Sequence, residues 1–269
     1  SDLIRNEIIS LGGDVRFSTT LTSINVKNGA VESISVQSAA DGNSTYIIET
    51  GIVILALGHS ARDTFEMLAQ SGFVMQAKPF SVGVRIEHLQ RDIDISQYGR
   101  FAHHPALGAA EYKLSVHLPS GRSVYTFCMC PGGTVVNAAS EENRITVNGM
   151  SEYARNGQNS NSALLVGLEP DDFGDENPLS GIELQRLVEE KAYNLGGGDY
   201  TAPCQLVGDF LNDMSSKKLS YVSATCPTGV TPSDVRKVLP KKITDTIAEA
   251  LPKMDKLLEG FALADAVLT

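Results

Sequence analysis

The dipeptide Asn28-Gly29 lies between two alternating runs, LTSINVK and AVESISVQ. Asn-Gly favours the left-handed backbone of a tight two-residue turn, and alternation with period two is the pattern of a half-buried strand. The two runs therefore predict an antiparallel hairpin. The turn ADGN and the run STYIIET add a third strand, giving a meander. The next segment, IVILAL, is continuously apolar and ends at Gly58. Such a run is the mark of a strand buried on both faces of a parallel sheet. Ahead of the meander, Leu3, Ile4, Glu7, Ile8 and Leu11 repeat at helical spacing, Gly12-Gly13 ends that helix, and DVRFS reads as a short strand. After Gly58, SARDTFEMLAQSG reads as a helix.

The pattern changes at Lys78-Pro79. Up to residue 150 it is mostly strands, SVGVRIE, YKLSVHL, SVYTFCMC, TVVNAAS and RITVNG, around an irregular stretch at 90–110. SEYARNGQNSNS, residues 151–162, is polar and reads as a loop, and ALLVGLEP returns as a strand. Ser180 and Glu183 have capping-box spacing at the head of a helix closed by Gly196-Gly197-Gly198. Thr231-Pro232 reads as a helix start, and Pro240 and Pro252 as the starts of later helical segments. The expected class is mixed, α+β with an α/β portion.

Composition narrows the function. With 42% hydrophobic and 20% charged residues in 269, a sizeable core is expected. The net charge of -10 argues against nucleic acid as a partner. The longest apolar run, Gly51 to Gly58, is far short of the roughly 20 residues of a membrane helix, so no membrane partner is expected. The opening SDLIRNEIIS lacks the basic start and apolar centre of a secretory leader. Four cysteines are too few for a disulfide scaffold, which suggests reduced thiols in a cytoplasmic protein. Neither G-x-G-x-x-G nor G-x-x-x-x-G-K-[ST] occurs, so the chain lacks both common phosphate cradles.

Three groups of residues could carry chemistry. Gly58, His59, Ser60 and Asp63 lie where a predicted strand meets a helix, a place where ligands of open α/β sheets bind. The alternative is a plain turn with Ser60 as N-cap. Cys128 and Cys130, one residue apart on a predicted strand, would share a face with Met129 opposite. They read as a redox dithiol, as a metal pair at unusual spacing, or as packing residues. Arg85 and Glu87 would share one strand face, with Val84, Ile86 and His88 on the other. Arg85 could contact an anion and His88 could donate a proton, or the carboxylate and guanidinium simply face solvent. Asn148-Gly149-Met150 could be a turn presenting an amide, and His103-His104 an exposed loop pair.

The order helix, short strand, meander, apolar strand, glycine, helix resembles the second half of the FAD-binding domain of glutathione-reductase-type flavoproteins. There the apolar strand ends in an alanine-threonine-glycine motif beneath the cofactor. Here ILALGHSARDT stands in that place, with Leu57 where threonine is common. The strings EIISLGGDVRF, KPFSVGVRIEH, VYTFCMCPGGTVVNAAS, LGGGDYTAPCQLVGDF and LEGFALADAVLT resemble a bacterial family of FAD-dependent (NAD- or FAD-utilising) dehydrogenases.

The resemblance implies the middle portion of an FAD-dependent oxidoreductase of unidentified small-molecule substrate. Its glycine-rich loop would precede residue 1, and further cofactor-binding sequence would follow residue 269. Residues 1–76 and about 236–269 would then be a partial FAD-binding domain, and 77–235 an inserted β-rich substrate domain. Gly58, His59, Ser60 and Asp63 would lie at the cofactor, with Cys128, Cys130, Arg85 and His88 on the catalytic side. FAD is expected in the longer protein and not on this chain alone, with NAD(P)H as a candidate electron donor. A non-catalytic ligand-binding or interaction module is the alternative.

Overall fold

The computed structural model describes residues 2–102, 104–174 and 177–269. The chain divides into two compact units that meet at Gln76 and Ala77, where the sequence pattern changes. No described helix is long and apolar enough to cross a membrane.

In the first unit, α1 (Asp2–Ser10) is followed by β1 (Thr19–Lys27), β2 (Ala30–Ser38) and β3 (Ser44–Glu49), an antiparallel sheet in the order β1-β2-β3. Asn28 and Gly29 take φ of 54° and 80°, and Lys27 faces Ala30 across the turn as the hairpin requires. Ile24 and Val36 are buried. The predicted strand DVRFS does not form, and pairing begins at Thr19. IVILAL departs further from expectation. Residues 52–57 form no strand, and Ile52, Ile54 and Leu55 are exposed. A parallel strand is held by hydrogen bonds from a neighbour, and the meander's three strands pair only among themselves. The helix α2 (Arg62–Gln70) follows.

The second unit is built on β4 (Phe80–Leu89), which runs directly into α3 (Gln90–Tyr98) where the sequence suggested irregular chain. Next come β5 (Ser115–His117), β6 (Ser123–Cys130), β7 (Gly133–Asn137), β8 (Val147–Ser151) and β9 (Asn159–Leu168). Then follow α4 (Ser180–Gly196), β10 (Ala202–Leu206), α5 (Val207–Leu211), β11 (Val230–Pro232), α6 (Lys241–Asp255) and β12 (Val267–Leu268). A seven-stranded sheet has the order β11-β10-β12-β4-β9-β6-β5, parallel only between β10 and β11, while β7 and β8 form a separate pair.

Several local expectations change. Residues 159–162 are strand rather than loop. Thr231-Pro232 lies in β11 instead of opening a helix, and Pro252 sits inside the last turns of α6. Ser180 is the first residue of α4 and not its cap. Its hydroxyl donates to the Asn177 carbonyl, and the Asn177 side-chain oxygen accepts from the amide of Leu179.

Residues from 236 onward, grouped with residues 1–76 in the sequence reading, contribute to the core of the second unit. Ile243, Ile247, Leu251 and Met254 recur at helical spacing on α6 and are fully buried with Val84, Ile86, Val124, Leu164 and Val166. Each such aliphatic side chain contributes about 2 kcal/mol on burial. Val267 and Leu268 are fully buried between β4 and β10.

Candidate functional site

Alternation along β4 sends Val84, Ile86 and His88 toward the α6 core and Arg85 and Glu87 to the opposite face. The antiparallel register with β9 sets Glu87 opposite Asn161 and Leu89 opposite Asn159. Directly opposed residues share a face, so both amides join the side of Arg85 and Glu87. The solvent-facing reading of that pair fails. Arg85, Glu87, Asn159 and Asn161 are all buried, because β8 and the segment around Thr225 cover them.

Arg85 is held on three sides. Its Nε donates to Asn161 Oδ1 at 2.8 Å, and its Nη2 donates to the Cys128 carbonyl at 2.9 Å. A longer bond of 3.4 Å reaches Asn148 Oδ1, and Cys130 Sγ lies 3.7 Å from Nη2. Loss of solvent pulls the guanidinium pKa below its ordinary value, opposed by the nearby Cys130, Cys128, Tyr112 and Glu87. Gly149 lies in β8 and not in a turn. A Cβ there would overlap Asn161 Oδ1 and the Arg85 guanidinium. Glycine is what lets β8 close over the charged group.

Glu87 makes no salt bridge with Arg85 although two residues away. Its carboxylate accepts from the Thr225 hydroxyl at 2.6 Å, the Thr225 amide at 3.2 Å and Asn159 Nδ2 at 3.1 Å. Burial raises its pKa, and these three bonds pull it back. Burial and the Glu87 charge push the Cys204 thiol up to about 12. Asn161 Nδ2 is buried without a hydrogen-bond partner.

The two cysteines do not stand as simple alternation predicts. Phe127 pairs with Ala163 and Cys130 with Asn161, so Cys128 and Met129 together oppose Ser162 alone. This is a β-bulge, and Cys128 takes a φ of 48°, uncommon for a residue with a side chain. Cys128 is exposed and Cys130 buried, and both are free thiols. The Cys130 thiol donates to the Cys128 carbonyl at 3.3 Å. Burial raises its pKa while Arg85 pulls it down. Pro131-Gly132-Gly133 is pinned next to them, with the Gly132 amide donating to Gln90 Oε1 at 2.7 Å. No described trio of His, Cys, Asp or Glu is placed to hold a metal ion.

His88 lies on the other face, away from Arg85 and the cysteines. Its Nε2 bonds the Phe261 carbonyl at 2.7 Å, which makes Nε2 the protonated nitrogen, and its ring packs on Phe261 and Tyr112. Nδ1 is buried without a partner, and burial holds the pKa down at about 4. His104 is an exposed loop residue, and His103 lies outside the described residues.

Gly58, His59, Ser60 and Asp63 belong to the first unit. Gly58 has a φ of 68°, and no protein atom lies within 4 Å of where its Cβ would be. Ala61, not Ser60, is the N-cap of α2, and the Ser60 hydroxyl sits 3.4 Å from His59 Nε2. Asp63 accepts from the Thr64 amide at 2.8 Å. The fold brings Arg85 and the cysteine turn together and leaves His88 on the opposite face of the sheet and the Gly58 turn in the first unit. The sequence pattern missed Asn159 and Asn161, whose signal was four polar residues immediately preceding an apolar strand.

Residues 79–269 match the family described as FAD-dependent protein, C-terminal domain-like. The match begins two residues after the boundary between the units. An uncharacterized protein of Clostridium beijerinckii is 46% identical over 267 residues, covering 99% of this chain and 49% of that protein. The chain spans about half the length of that curated relative. With the family match covering most of its length, the chain belongs to the FAD-dependent protein family, whose C-terminal domain its second unit represents.

Proposed function

We propose that this chain is the middle portion of an FAD-dependent oxidoreductase, a dehydrogenase of the glutathione-reductase-type superfamily. The observation that carries the reading is the family match over residues 79–269. The exposed Ile52, Ile54 and Leu55 support it, as apolar side chains of a segment that would become a buried strand only beside sheet neighbours from the rest of the full-length protein. When bound, FAD supplies hydride or electron transfer.

The residues here fit one flank of such a cofactor. Gly58 leaves open space above a left-handed turn, and the Ser60 hydroxyl is exposed and does not cap α2. His59 and Asp63 would border the same turn. The buried layer around Arg85 does not fit a cofactor, because Gly149 closes on it without room for an added methyl group. Arg85 instead acts on the thiols, as the cation beside Cys130 and the anchor of the Cys128 carbonyl. The second unit shapes the substrate side, and Cys128 is its accessible thiol.

Anaerobic reductive titration of the full-length flavoprotein tests the thiol assignment. If Cys128 and Cys130 form a redox pair, the protein takes up a second pair of electrons beyond those of the flavin. Cys128→Ser and Cys130→Ser then each lose that second pair while keeping flavin. Uptake of the flavin's electrons alone by the unaltered protein makes both cysteines packing residues. NAD(P)H bleaching of the visible flavin band identifies the electron donor.

A further inference from the structure

Beside the cysteine turn, the second unit contains a cleft of about 700 Å3, within the range of roughly 300–1,000 Å3 usual for small-molecule sites. Its lining includes Gln90, Arg91, Asp94, His104, Arg155 and Tyr221. None of these belongs to the buried Arg85 layer, but Gln90 joins the two, since its side-chain oxygen holds the Gly132 amide.

The charges of this lining run against those of the whole chain. In a protein of net charge -10, two guanidiniums face the cleft against one lining carboxylate. That carboxylate is already engaged: Asp94 Oδ1 accepts from Gln90 Nε2 and from the Ala110 amide, both at 2.8 Å. Arg91 lies over the Tyr221 ring, 5.4 Å from its centroid, and donates to the phenol oxygen at 2.5 Å. A neutral phenol orients the guanidinium without cancelling its charge. Arg91 also has the half-buried Asp92 at 3.4 Å, a carboxylate that accepts from the Tyr221 hydroxyl at 3.4 Å, while the guanidinium side stays exposed to the cleft and to water. Arg155 pairs with Glu111, likewise exposed.

The cleft is also preorganised. Arg155 has a φ of 49°, and its carbonyl lies so close to Gly132 that a Cβ there would overlap it. The Gly157 amide donates to the Gly132 carbonyl at 3.1 Å. The loop bearing Arg155 is thereby clamped to the turn after the cysteines. Across the cleft, His104 Nδ1 accepts from the Ala106 amide at 3.2 Å. In the neutral ring this puts the proton on Nε2 and makes that nitrogen a donor.

We propose that this cleft binds a small organic anion, with Arg91 and Arg155 contacting its carboxylate or phosphate group and the exposed His104 contacting its polar body. As a substrate assignment this rests on the oxidoreductase reading above. As a binding site it requires no flavin. The two sources of anionic chemistry are separated by the probes.

Calorimetric titration of the 269-residue chain with succinate, inorganic phosphate and the uncharged succinamide tests it. Saturable binding is expected for succinate or phosphate and not for succinamide, and the tighter of the two names the anionic group. Arg155→Ala and Arg91→Ala should each weaken that binding at least about tenfold, while Lys253→Ala, on α6, leaves it unchanged. Arg155→Lys should recover part of the loss. Circular dichroism confirms that each variant is folded, and a variant that fails to fold is replaced by Gln at the same position. Absence of saturable binding for both anions overturns the proposal, as does equal affinity in the arginine variants. Neither result touches flavin binding by the full-length protein, which is measured separately.

Discussion

Arg85→Met is expected to destabilise the second unit by about 3 kcal/mol or more. Methionine keeps most of the aliphatic volume but removes charge-assisted bonds to Asn161 Oδ1 and the Cys128 carbonyl. Each is worth about 1.5–3 kcal/mol, and their loss leaves the buried Asn161 Oδ1 unpaired and the Cys128 carbonyl with only the weaker Cys130 thiol. Glu87 also loses the attraction of the Arg85 charge, which raises its pKa further. Amide hydrogen exchange across β4 and β9 reports the loss at the affected strands, with urea unfolding as the global measure. A change below about 1 kcal/mol would mean that water replaces the guanidinium freely and that the layer is not closed.

The second large effect is the loss of stability in mild acid. His88 is buried and neutral, with its pKa lowered from 6.5 to about 4. Between those values the unfolded chain takes up a proton that the folded chain refuses. The His88 contribution is therefore complete above pH 6.5 and is lost as pH falls toward 4. At about 1.4 kcal/mol per pH unit this is on the order of 3 kcal/mol. Glu87 acts in the opposite sense. Its raised pKa favours the folded state while the carboxyl is protonated, and that contribution is lost as pH rises above its ordinary value of 4.5. The two slopes oppose each other over part of the range. Urea unfolding at stepped pH should show a flattened acid limb in His88→Gln, whose amide can still donate to the Phe261 carbonyl. The limb should steepen in Glu87→Gln. An unchanged limb in His88→Gln would assign the acid loss to other groups.

Much of this architecture is legible in the sequence where one local rule dominates. Asn28-Gly29 sets the hairpin, and alternation in SVGVRIEH sorts Arg85 and Glu87 from Ile86 and His88. Lys78-Pro79 falls two residues past the boundary between the units. The rest depends on partners distant in sequence. Residues 159–162, NSNS, lack the apolar signal of a strand because both faces of β9 bury polar partners there: Glu87 and Arg85 on one side, Tyr112 on the other. Cys128 leaves strict alternation because one extra residue in β6 must be accommodated opposite Ser162. IVILAL has the composition of a buried strand, but burial requires neighbours that composition alone does not supply. The cleft was illegible for the same reason: Arg91, Arg155 and Tyr221 are brought together only by the fold.

Flavin titration of the full-length protein and its Gly58→Val variant decides whether the Gly58 turn lies against a bound FAD, as proposed above. In this chain Gly58 has open space around it, so valine costs only the strain of a positive φ, about 1 kcal/mol or more. Stoichiometric FAD is expected in the unaltered protein. In Gly58→Val the FAD affinity should fall by more than that strain explains, with the apo protein melting nearly as before. A full-length protein without flavin, or a Gly58→Val variant that binds FAD normally, would contradict that placement of the turn.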